Sequence, residues 1–71
     1  MTTFVSIARK RWTGSIWYVY ATFNEESRDD GEEPRGIYIQ PLRCAGFTDE
    51  NTPPTDEECM VFINNFLAII N

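Results

Sequence analysis

Three features of the sequence predict an α+β fold of the β-β-β-α kind, a three-stranded antiparallel sheet with one C-terminal helix packed on one face. Three short runs rich in β-branched and aromatic residues end before residue 44. A glycine-containing turn separates the first two runs, at a spacing that makes them a hairpin. The last segment repeats its apolar residues three and four apart behind a helix-capping pattern. The 71 residues allow one domain, 1–71.

The first strand is expected over about residues 3–12. In Thr3 to Trp12, Val5 and Ile7 alternate with Phe4, Ser6 and Ala8. Trp12-Thr13-Gly14-Ser15 is a turn signal, because Gly14 accepts a positive φ. The second strand, 16–23, carries the clearest alternation in the chain. Ile16, Tyr18, Tyr20 and Thr22 point one way, and Trp17, Val19, Ala21 and Phe23 the other.

Residues 24–36 read as a long acidic loop punctuated by Gly31, Pro34 and Gly36. A third strand follows at 37–42, where Pro41 confines it to a sheet edge or ends its pairing. The stretch to Pro54 holds Gly46, Asp49, Asn51, Pro53 and Pro54, all turn formers. The helix is expected over 55–70. Thr55 is placed to cap it, Glu58 completes a capping box, and Asp56 and Glu57 add first-turn negative charge. Its apolar stripe is Cys59, Phe62, Ile63, Phe66, Leu67 and Ile70, with Met60, Val61 and Ile69 outside it.

One helix covers one sheet face, yet the second strand is apolar or aromatic on both. The surplus must lie under the 44–54 loop, in a subunit interface or against a partner. Charge is divided as well. Residues 1–24 sum to +3 through Arg9, Lys10 and Arg11, whereas residues 25–71 sum to −8 and hold all 11 acids. The acids form two clusters: Glu25, Glu26, Asp29, Asp30, Glu32 and Glu33, then Asp49, Glu50, Asp56, Glu57 and Glu58.

Little in the chain points to chemistry. Histidine is absent, so zinc has no recognisable ligand set and neither Cys44 nor Cys59 has an imidazole base. Asp29-Asp30-Gly31-Glu32-Glu33 lacks the alternating oxygen spacing of a calcium loop. The four glycines are scattered, so no phosphate-cradling loop is encoded. Solvated carboxylates keep ordinary acidity, unsuited to general-acid work at neutral pH. No enzymatic activity, metal or cofactor is therefore expected. The sequence holds no run long and apolar enough for a membrane span and no secretory layout at Met1-Thr2-Thr3-Phe4-Val5, so no membrane contact, a cytoplasmic setting and reduced thiols are expected.

What remains is action by contact. In size, charge and architecture the chain resembles the small single-domain proteins with which bacteriophages and mobile elements disable host machinery, anti-CRISPR proteins among them. That resemblance implies an inhibitor of a nucleic-acid-handling or defence complex, acting by steric and electrostatic occlusion in the host cytoplasm. Glu25, Glu26, Asp29, Asp30, Glu32, Glu33, Asp49 and Glu50 would meet a protein partner with a basic surface, and Trp17, Tyr18 and Tyr20 would anchor it. An alternative is an accessory subunit that homodimerises through an aromatic sheet face. A second alternative is single-stranded nucleic-acid binding by Arg9, Lys10, Arg11 and Trp17 beside Tyr18 and Tyr20. It ranks below the two protein readings, because the −8 of the remaining chain opposes phosphate.

Overall fold

A computed structural model describes residues 1–26 and 36–71. Strands β1 (Thr2–Trp12), β2 (Trp17–Glu25) and β3 (Gly36–Arg43) precede helix α1 (Asp56–Ile70), and the sheet order is β1-β2-β3 with both pairings antiparallel. The β-β-β-α architecture is therefore as the sequence predicts. The main boundary difference is that β2 runs on to Glu25, two residues into the expected acidic loop.

The hairpin between β1 and β2 closes through Thr13. Its backbone N–H and its hydroxyl both donate to the Ile16 carbonyl, at 3.1 and 2.8 Å. Gly14 sits at φ 99°, where a side chain would strain the backbone. A second turn, Cys44 to Phe47, closes with Phe47 N–H on the Cys44 carbonyl at 3.1 Å and has Gly46 at φ 93°. That is the third-position glycine a type II turn requires.

Register decides which residues share a face, because directly opposed residues in antiparallel strands point the same way. On the helix side, Val19 lies between Lys10 and Leu42, Ala21 between Ile7 and Gln40, and Phe23 between Phe4 and Tyr38. Val19, Ala21 and Phe23 are fully buried there with Cys44, Cys59 and Ile63. The ring of Phe23 meets Phe66 of α1 at 5.0 Å between centroids.

The simple alternation expected for β1 does not hold. Two register shifts, between Phe4 and Ser6 and between Ile7 and Arg9, leave Val5 and Ala8 without partners. Each extra residue flips the phase of the strand. Phe4 and Ile7 thus both turn toward the core, while Val5 is exposed. The helix stripe is also narrower than expected. Cys59 and Ile63 are buried, Phe62, Phe66 and Leu67 are partly covered, and Ile70 is exposed. The loop after β3 packs on the helix side: Trp17 Nε1 donates to the Asp49 carbonyl at 2.9 Å, and Phe47 stands edge-on to Phe62 at 6.0 Å.

The helix start is built as the sequence indicates. Glu58 N–H donates to Thr55 Oγ1 at 3.1 Å, and Thr55 N–H donates to Glu58 Oε1 at 3.0 Å. These two bonds satisfy backbone donors that the helix itself leaves unpaired. Replacing Thr55 by Ala is expected to cost about 1 kcal/mol and lower the melting temperature by roughly 4–8 °C. An unchanged thermal midpoint by circular dichroism would show that the cap contributes nothing. At the other end, Asn71 Nδ2 donates to the Thr2 carbonyl at 2.7 Å and Thr2 N–H donates to Asn71 Oδ1 at 2.8 Å. The side-chain amide thus pairs with β1 as a neighbouring strand would and ties the helix C-terminus to the sheet.

Candidate functional site

The side of the sheet away from α1 is a grid set by register. Tyr18 lies between Arg11 and Arg43, Tyr20 between Arg9 and Pro41, Thr22 between Ser6 and Ile39, and Asn24 between Thr3 and Ile37. Helix α1 lies on the other side, and Thr48 of the loop after β3 lines this side beside Ile16 and Tyr18. Arg9, Arg11, Pro41 and Arg43 are exposed, and Ile37 and Ile39 keep 68% and 59% of their surface in solvent. Apolar side chains left this open on a small protein point to contact rather than to a core.

Charge on this face differs in sign from the chain as a whole. The protein carries a net −5, yet the grid holds three arginines and no carboxylate. The Arg9 guanidinium lies over the Tyr20 ring at 4.5 Å from its centroid. Arg11 Nη1 donates to the Tyr20 hydroxyl at 3.4 Å. That hydrogen bond, with the positive charge of Arg11 and Arg9, favours the phenolate and holds the Tyr20 hydroxyl below its ordinary pKa. A groove of about 510 Å³ runs along Arg11, Tyr18, Tyr20, Pro41 and Arg43, with Thr13 and Thr48 at its rim. Its walls offer cations, hydroxyls and ring faces together.

The residues singled out from the sequence divide between surfaces. Tyr18 and Tyr20 lie on the grid. Trp17 is on the helix side, where it packs on the core, meets Trp12 at 5.8 Å and is tied to Asp49. Lys10 also leaves its neighbours: it faces the helix side and pairs with Asp56 at 2.8 Å. That hydrogen bond, ahead of the coulombic attraction, raises the Lys10 pKa. Arg43, which the sequence reading left out of the basic group, takes its place beside Tyr18.

Several carboxylates have internal duties. Asp49 accepts from Asn51 N–H at 2.9 Å and from the Thr52 hydroxyl at 3.3 Å, a local turn. Asp56 holds Lys10, and Glu58 serves the cap. Glu50 and Glu57 are exposed. Glu25 pairs with Thr2 and Gly36 at the end of the sheet, and Glu26 N–H donates to the Met1 carbonyl at 3.0 Å. The expectations for Asp29, Asp30, Glu32 and Glu33 fall outside the described residues.

Cys44 and Cys59 are buried free thiols. Burial pushes Cys44 up to about 11, with the neighbouring Cys59 adding to the shift, and burial raises Cys59 too. A thiol held this far from ionisation is a poor nucleophile. Among the described residues no group of three His, Cys, Asp or Glu side chains is placed to hold a metal ion, and no helix is long and apolar enough to cross a membrane.

No family model, curated protein or solved structure matches this chain.

Proposed function

We propose that this protein acts by contact, without enzymatic activity, as an inhibitor that occupies a nucleic-acid-handling or defence complex of the anti-CRISPR kind. The observation that carries this reading is the grid, where half-buried Tyr18 and Tyr20 stand among three exposed arginines on a chain of net −5. Both sheet edges are poorly suited to recruiting another strand. β1 carries two register shifts and β3 carries Pro41, features that blunt edge pairing. Recognition is thereby directed to faces. The exposed Glu50 and Glu57 lie off the grid and supply a field toward a basic protein surface that raises the association rate.

The test is titration of the purified chain into reconstituted CRISPR effector complexes. Inhibition is expected to saturate at a fixed molar ratio and not to deepen with time, and about 0.5 M salt is expected to slow association. Glu50→Lys, at an exposed position outside the helix, should slow association further while changing stability by no more than about 0.5 kcal/mol. Inhibition that grows with incubation at substoichiometric protein indicates turnover and rejects the contact mechanism. An absence of inhibition across the complexes rejects the inhibitor role.

A further inference from the structure

We propose that the grid binds single-stranded nucleic acid, with bases stacked on Tyr18 and on the Arg9–Tyr20 pair and phosphates held by Arg11 and Arg43. This deepens the contact reading above and rests on it for the surface. It also explains what a blocker of a nucleic-acid-handling complex gains from a cationic face on an acidic chain.

The first support is charge separated by face. Summed over the chain, acid outweighs base and argues against phosphate. Resolved by register, the described arginines all stand on the grid, and no described carboxylate stands among them. Lys10 is occupied by Asp56 on the opposite side. Among the described residues, a polyanion approaching the grid therefore meets Arg9, Arg11 and Arg43 with no carboxylate between them.

The second support is the arrangement of planar groups. Tyr18 and Tyr20 stand two residues apart on one strand, a separation of about 6.7 Å along β2. This is roughly twice the 3.4 Å repeat of stacked bases, so successive bases reach the two platforms only when the strand is drawn out of its stacked form. A flat sheet face also has nothing to insert into the groove of a duplex, which admits a helix or a projecting ribbon. Arg9 covers the Tyr20 ring at 4.5 Å and is itself exposed, so the guanidinium plane becomes the stacking surface there. Tyr18 lies between Arg11 on one neighbouring strand and Arg43 on the other, which sets a cation on each side of the base it would carry. The hydroxyl of Thr48, which also lines the groove, supplies a donor for phosphate or sugar oxygens. Stacking with charge, and little base-edge readout, gives binding tolerant of sequence.

The experiment is fluorescence anisotropy of the full chain with labelled oligothymidylate about twelve nucleotides long, beside an abasic oligomer of the same length and a polyglutamate of similar charge. Binding to oligothymidylate at low salt is expected, with the logarithm of the affinity falling against the logarithm of salt at a slope near −2 for three cations. Tyr18→Ala should weaken binding at least about fivefold, and Tyr18→Phe should keep it, because the ring does the stacking. Arg43→Ala, at an exposed position that spares the fold, should flatten the slope by about 0.7. No anisotropy change at low salt overturns the proposal. So does equal binding of the abasic oligomer or of polyglutamate, which would mark the grid as a site for any anion or for an acidic protein. None of these failures touches stoichiometric inhibition of a partner complex, which is read separately.

Discussion

Phe23→Ala is expected to remove a large fraction of the chain's folding free energy and to lower its unfolding midpoint steeply. Phe23 is 0% exposed on the central strand, with Phe4 at 6.1 Å and Tyr38 at 5.7 Å on the flanking strands and Phe66 of the helix at 5.0 Å. Removing it takes away the ring that joins all three strands to the helix. A buried Phe→Ala change costs about 3–5 kcal/mol, and a chain this short holds roughly 4–10 kcal/mol in total. The measurement is a urea or thermal unfolding curve followed by near-ultraviolet circular dichroism. A folded baseline with a midpoint within a few degrees of the parent would show that the cluster is dispensable. Phe62→Ala is the internal comparison. Phe62 is only partly buried, edge-on to Phe47 at 6.0 Å, and its loss should cost about half as much.

That comparison shows where the sequence was legible. The helix stripe and its capping box could be read from spacing alone, because both depend on residues within a few positions of one another. The weight of Phe23 could not. It comes from β2 lying between β1 and β3, a fact of strand order. The period of two already placed Trp17 and Tyr18 on opposite faces, and separated Lys10 from Arg9 and Arg11. Grouping those residues by type obscured this. The register shifts at Val5 and Ala8 are properties of a pairing between two segments, and neither residue carries a turn-former's signature. Arg43 joins Tyr18 only through the β2–β3 register, so no local pattern announces it. Two of the acids were legible by the same local logic: Asp49 is a turn residue and Glu58 a cap, as their neighbours in the sequence indicate. In both cases the side chain bonds to backbone close by, and the turn and capping signals were already present in the sequence.

Raising the pH from about 9 to about 11 is expected to remove roughly 2 kcal/mol of stability through Cys44. Its thiol is fully buried and titrates near 11 in the folded chain, against 9.0 ordinarily. The unfolded chain therefore releases this proton first as pH rises. Folding free energy is whole below the unfolded value and drains away until the folded value is passed. Cys59 shifts the same way for the same reason, burial, although Lys10 moderates it. Lys10 is also raised and adds a loss at still higher pH as its bond to Asp56 weakens. Tyr20 acts in the opposite sense. Its pKa is lowered by Arg11 and Arg9 on the solvent-facing side of the sheet, so ionisation there favours the folded chain. Urea midpoints at several pH values separate these contributions. Cys44→Ala should be less stable at pH 8, where it leaves a small cavity, yet lose less between pH 9 and 11. If the parent and Cys44→Ala fall in parallel over that interval, the alkaline loss lies elsewhere and the buried thiol is not its source. Thiol modification at pH 8 offers a kinetic check. A neutral, enclosed sulfur reacts only when the chain opens, so labelling of Cys44 should follow the unfolding equilibrium and accelerate sharply in Phe23→Ala.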